Sequence, residues 1–171
     1  GLTITASYVV LAIVAVPALL ELGVPVITAH LVVFWSTQFA TVTPPVAMAA
    51  FTGAGIAKAD FNKTGFAAVR MAGALYIMPF LFIYTPILLK GSPLTIIQYT
   101  IAAGLGFIAF AVFLQNYFLA QTTLSERIGW LVAAILLFIP RLQYALPGLL
   151  IMAFLAFIGW KSRKIEERKI P

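Results

Sequence analysis

Residues 31–57, "LVVFWSTQFATVTPPVAMAAFTGAGIA", carry no charged side chain. A run of that length reads as a membrane-crossing helix, because about 20 apolar residues span a bilayer core. Yet Thr43-Pro44-Pro45 falls near its middle. Each proline removes a backbone donor and clashes with the preceding turn. The residue before a proline is also pushed out of the helical region. Backbone groups freed inside lipid have no water to turn to, so such a break is tolerated only where protein buries it or where it lines a watery cavity. This segment must therefore pack against other protein or line such a cavity.

The rest of the chain agrees with a membrane setting. It is 63% hydrophobic and 9% charged, against roughly 25% charged residues in a soluble domain. The expected class is an all-α integral membrane protein. With no cysteine, disulfide and thiolate chemistry are excluded. The net charge of +6 does not point to nucleic acid, since the basic residues gather in the tail "KSRKIEERKIP" and at segment ends. The chain is apolar from Gly1, without an initiator Met or a basic leader. It reads as part of a longer chain rather than as a signal peptide.

Charge-free runs give six segments, at about Ala6–Leu20, Val26–Ala57, Thr64–Leu89, Leu94–Ala120, Ile128–Ile139 and Tyr144–Trp160. Glu21, Gly23 and Pro25 end the first, and Asp60 or Asn62 offers an N-cap to the third. The fifth is short and reads as a tilted helix or as half of a shallow hairpin. Lys and Arg in short loops favour the cytoplasm. With the tail inside and the fifth segment spanning, Arg127, Arg70, Lys63 and Lys58 also fall inside, and Lys90 and Arg141 fall outside. A non-spanning fifth segment worsens that bias. Trp130, Trp160, Tyr84, Tyr99 and Tyr144 lie near segment ends, where amphipathic rings favour the interface.

The break itself offers chemistry. Freed carbonyls can coordinate a cation, and the N-terminus of the following half-helix favours an anion. Ser36, Thr37, Gln38, Thr41 and Thr43 add neutral polar groups, and small residues from Ala47 to Ala57 allow close helix approach. The plainer alternative is a proline kink whose hydroxyls re-satisfy the backbone. A second polar stretch, "GLTITAS" at Gly1–Ser7, precedes a short first segment. It can form the tip of a re-entrant hairpin that meets the break.

Enzyme chemistry finds little to stand on. His30 is the single histidine, no H-E-x-x-H pattern exists, and Glu21 and Asp60 sit at segment edges. His30 reads as a satisfied helix-start residue rather than a titrating switch. Arg70 reads as snorkelling to the interface, with capture of a substrate carboxylate as the alternative. "AAGLG" at Ala102–Gly106 reads as helix packing.

The stretches "GLTITASYVV", "PALLELGVPVITAHLVVFWSTQFATVTPPVAMAAFTGAGIAKADFNKTGFAAVRMAG" and "PFLFIYTPILL" closely resemble the C-terminal part of the large membrane subunit of tripartite ATP-independent periplasmic (TRAP) transporters. The resemblance is to the fused type, in which small and large subunits share one chain. It covers about residues 1–90, with "TPPVAMAAFTGAGIAKADFNKTG" the specific part. Residues 91–171 are similar only loosely, to extra C-terminal helices ending in a basic tail.

The resemblance implies a multi-pass inner-membrane importer with a cytoplasmic C-terminus. It implies sodium as the coupling ion, no cofactor, and organic acids as substrates (C4-dicarboxylates or related carboxylates). Its partners are a periplasmic substrate-binding protein and the remaining transmembrane segments. The fold it implies is a helical bundle with a re-entrant half-helix at the N-terminus and a Pro-broken transmembrane helix. "GLTITA" corresponds to a hairpin tip often written Gly-Leu-Pro-Thr-Thr-Ala, with Thr3 and Ile4 departing from it. The implied ion site is Thr43 with the Ala40 and Pro44 carbonyls and with Gly1, Thr3 and Thr5 of the tip. Ser36, Thr41 and Pro45 line the adjoining substrate cavity on this reading. The alternative is a structural membrane subunit with no site of its own.

Overall fold

The computed structural model describes residues 3–88 and 90–167. It is an all-α membrane protein. Among the described residues, four stretches are long and apolar enough to cross a membrane: Ile4–Glu21, Phe61–Tyr84, Pro93–Gln115 and Gln143–Lys161. The chain divides into two compact units, Gly1–Leu88 and Leu89–Pro171.

In the first unit, α1 (Ile4–Glu21) starts where the Thr3 hydroxyl accepts the Ala6 N–H at 3.3 Å. It extends the expected segment at both ends, to about 27 Å at 1.5 Å per residue. It stops at Gly23, whose φ of +81° an L side chain rarely adopts. Gly23 N–H donates to Leu20 O and Val24 N–H to Leu19 O, the paired bonds that close a helix on a left-handed glycine. Pro25 then starts α2 (Val26–Thr37). The two helices form an antiparallel hairpin around buried Val16, Ala29 and Val33. Farther from the turn, the Tyr8 hydroxyl pairs with His30 Nδ1 at 2.8 Å, so His30 is satisfied as its sequence setting implied.

The charge-free run does break. After α2 come a single turn, α3 (Phe39–Val42), the stretch Thr43–Ala47, and α4 (Met48–Ala57). Lys58 ends α4 with φ 51°. Asp60, not Asn62, caps α5 (Phe61–Met71), its carboxylate accepting Lys63 N–H at 2.7 Å. The third expected segment is interrupted at Ala72, which separates α5 from α6 (Gly73–Tyr84). Helix α2 packs on α6, and α4 packs on α5.

The second unit comprises α7 (Pro93–Gln115), α8 (Leu124–Phe138) and α9 (Leu142–Glu167). Helix α7 ends before the expected Ala120 because Asn116 takes the left-handed conformation, φ 58°, which Asn tolerates better than most side chains. Two-residue strands β1 (Tyr117–Phe118) and β2 (Ala120–Gln121) form a small hairpin there. Thr123 and Glu126 make a reciprocal capping box that starts α8 earlier than Ile128.

Helix α8 runs back along α7. At one end the Arg127 guanidinium donates to Phe113 O at 2.8 Å and lies over the Phe113 ring. At the other end the Tyr99 hydroxyl donates to Pro140 O at 2.9 Å. Glycines allow close helix approach: a Cβ on Gly106 of α7 would lie 2.8 Å from Phe138 of α8, and one on Gly129 of α8 2.9 Å from Leu155 of α9. "AAGLG" therefore packs helices, as its composition implied. Trp130 departs from the interfacial expectation. It is 1% exposed, with its ring against Phe118 at 4.9 Å between centroids.

Candidate functional site

The two prolines leave two carbonyls without their helical donors. In an α-helix the N–H of residue i+4 bonds the carbonyl of residue i. Pro44 and Pro45 have none to give to Ala40 and Thr41. The chain crosses the break with Thr43 N–H donating to Phe39 O at 2.8 Å and Ala47 N–H donating to Thr43 O at 3.0 Å. Ala47 is fully buried with φ 35° and starts α4 without a side-chain cap. The Pro44–Pro45 peptide is cis.

The hydroxyls around the break fall into two groups. Ser36 donates to Val32 O at 2.8 Å, Thr37 to Phe34 O at 2.6 Å, and Thr41 to Gln38 O at 2.6 Å. All three turn back onto their own helix, the local bonding open to Ser and Thr in helices. Thr43 does not. Its Oγ1 lies 2.8 Å from the Tyr76 hydroxyl, which α6 delivers from the far side of the Lys58–Lys63 turn. The Phe39 ring packs on Tyr76 at 4.9 Å between centroids.

Two further contacts fix α5 and α6 to the break. Gly65 of α5 is buried against it: a Cβ there would lie 2.9 Å from Pro44 Cγ and 3.2 Å from Phe51 Cε1. On α6, Pro79 has no N–H for the Leu75 carbonyl. The Trp35 indole N–H from α2 donates to that carbonyl instead, at 3.2 Å. Beside these contacts lies a cavity of about 240 Å³ between α2, α3 and α6, mostly apolar, with Ser36 and Tyr76 as its polar lining.

Of the residues singled out in the sequence, Ala40, Thr41, Thr43, Pro44 and Pro45 span the break, and Ser36, inside α2, lines the adjoining cavity with Phe39 and Tyr76. Thr3 and Thr5 are exposed at the start of α1, and Thr3 Oγ1 is engaged in capping its own helix. Gly1 lies outside the described residues. Arg70 is exposed in the last turn of α5, where a cation suits the helix terminus. The small residues after the break divide. Ala47, Ala50 and Ala54 are buried, while a Cβ on Gly53 or Gly55 meets nothing within 4 Å.

Tyr76 and Trp35 are the residues packed around the break that sequence reasoning passed over. The available signal was physical: a phenol or an indole N–H deep in an apolar run needs a partner. Among the described residues no group of three or more His, Cys, Asp or Glu side chains can hold a metal. The oxygens gathered at the break are neutral carbonyls and hydroxyls, a donor set that suits a hard cation better than a soft one.

Residues 1–90 match the family described as "Tripartite ATP-independent periplasmic transporter, DctM component". No curated protein and no solved structure matches the chain.

Proposed function

We propose that this chain, which belongs to the DctM-component family of tripartite ATP-independent periplasmic transporters, carries a sodium site at the break between α3 and α4 and takes part in sodium-coupled import of organic acids. The observation that carries the reading is the break itself. Pro44 and Pro45 free the Ala40 and Thr41 carbonyls next to a Thr43 hydroxyl that is turned away from its own helix. Such unwound backbone within a membrane segment is the kind of place where transporters hold coupling ions. The uncapped start of α4 offers positive backbone dipole to an anion, which fits a carboxylate moving with the cation. A periplasmic binding protein would deliver that carboxylate, and further transmembrane segments would complete the moving domain.

Thr43→Ala should weaken sodium binding while leaving the fold in place. Losing one neutral oxygen ligand costs about 1–2 kcal/mol, on the scale of a lost hydrogen bond at a polar site. That corresponds to a roughly 5- to 30-fold rise in half-saturating sodium. Sodium titration of the thermal midpoint, with choline chloride holding ionic strength, reads this without any substrate, because a ligand of the folded state raises the midpoint. Thr43→Ser keeps the oxygen and should stay close to wild type. Alanine and serine variants with the same sodium dependence would remove Thr43 from the site.

The same reading orients the chain in an inner membrane, with the Lys58–Lys63 turn and the C-terminus in the cytoplasm and Lys90 outside. The distribution of Lys and Arg supports it. The chain lacks native cysteine, so Asn62→Cys can be probed in intact cells with a membrane-impermeant thiol reagent. Protection until the membrane is permeabilised is expected, and labelling from outside would reverse the orientation.

A further inference from the structure

We infer that Tyr76 is a positioning residue for the proposed ion site: its hydroxyl holds the Thr43 side chain in the orientation that offers lone pairs to a cation. The inference rests on the sodium reading of the break and adds to it a residue on a different helix.

The comparison with neighbouring hydroxyls carries the argument. Ser36, Thr37 and Thr41, in the same broken segment, all bond carbonyls three or four residues earlier. A carbonyl of that kind is at hand for Thr43 as well, since Phe39 O already takes the Thr43 N–H at 2.8 Å. Thr43 Oγ1 bonds the Tyr76 hydroxyl instead, 33 residues away. Either oxygen can donate in that pair. Cation binding selects the arrangement in which Thr43 donates to Tyr76, because the proton then points away and both Thr43 lone pairs are left for the ion. Without the phenol oxygen, the Thr43 proton has its own helix as the nearest acceptor, and the hydroxyl turns back as its neighbours do.

Tyr76 is itself held. Its ring packs on Phe39 at 4.9 Å between centroids. Its helix, α6, is tied to α2 by the Trp35–Leu75 hydrogen bond one residue earlier. The ion site is thereby linked to the packing of α6 on the broken segment. A shift of α6 that separates the two hydroxyls would weaken the site without moving any ligand backbone.

The test compares sodium titrations of thermal midpoint for wild type, Tyr76→Phe, Thr43→Ala and the double variant, with choline chloride as the ionic-strength control. Tyr76→Phe keeps the ring and its packing on Phe39. It should raise half-saturating sodium roughly three- to tenfold, the scale of one orienting hydrogen bond, with little change of the midpoint in choline. The double variant should be no worse than Thr43→Ala alone, because Tyr76 acts through that hydroxyl. Wild-type sodium dependence in Tyr76→Phe, beside a weakened Thr43→Ala, overturns the positioning role and leaves the ion site standing. Independent, additive losses overturn it too, since Tyr76 would then act without Thr43. No loss in Thr43→Ala removes the ion site and this inference together. If Tyr76→Phe does not accumulate, Tyr76→His, whose shorter ring falls short of the Thr43 hydroxyl, serves the same comparison. The same loss of sodium affinity is then expected, and wild-type sodium dependence overturns the inference.

Discussion

Gly65→Ala should lower the thermal midpoint by several degrees in choline and in sodium alike, and Gly65→Val should prevent accumulation of folded protein. The added Cβ falls 2.9 Å from Pro44 Cγ and 3.2 Å from Phe51 Cε1, closer than carbon atoms pack. The Pro44 ring has little freedom to move aside, because its nitrogen is part of the backbone that makes the break. Overpacking of this kind costs typically about 1–3 kcal/mol for one methyl group and more for a branched side chain. In a chain of this size each kcal/mol shifts the midpoint by about 2–4 °C. Gly53→Ala is the internal control. Its Cβ meets nothing within 4 Å, and replacing an exposed helical glycine removes a propensity penalty of about 1 kcal/mol. It should be neutral or mildly stabilising. Equal shifts at positions 65 and 53 would show that α5 does not pack on Pro44.

This contrast marks what the sequence makes legible. "TGAGIA" and "NKTGFA" look alike as small-residue helix text, yet Gly65 is a contact surface and Gly53 is exposed. Small residues permit close approach but do not say which helix arrives. The helices were readable because charges and prolines bound them: Glu21 to Pro25, Lys58 to Asp60, and Ser92 to Pro93 punctuate long apolar runs. The break was readable because two adjacent prolines have only one local consequence. Local rules stopped short where a single residue ended or divided a run, as with Asn116 closing α7 and Ala72 separating α5 from α6.

The candidate site was legible by half for the same reason. Ser36, Thr41, Thr43 and the prolines are neighbours in sequence and remain neighbours in space. Tyr76 reaches Thr43 across 33 positions from the run "GALYIMPF", where a tyrosine has no periodic signature of its role. Trp130 shows the converse error. Position near a segment end suggested an interfacial ring, but α8 starts at Leu124, so Trp130 lies two turns inside and is buried. Polar groups in apolar runs are better assigned by asking which donor or acceptor each must satisfy than by their distance from a segment end.

Trp35 and Pro79 put that principle to its sharpest test. Pro79 leaves Leu75 O without its helical donor, and the Trp35 indole fills the vacancy at 3.2 Å. Trp35→Phe keeps an aromatic ring beside Phe82, whose centroid lies 5.6 Å away edge to face, but it strands the carbonyl. The expected loss is about 1–3 kcal/mol, the cost of leaving a partly buried acceptor unpaired away from water. Pro79→Ala restores an N–H four residues after Leu75, so the helix can satisfy that carbonyl itself. Trp35→Phe should therefore be damaging in the natural background and nearly harmless in the Pro79→Ala background. Thermal midpoints of the four variants give the coupling directly, and a value above about 1 kcal/mol is expected for groups sharing one acceptor. An equal cost of Trp35→Phe in both backgrounds would mean that the indole contributes packing alone, and that the carbonyl freed by Pro79 is satisfied in some other way.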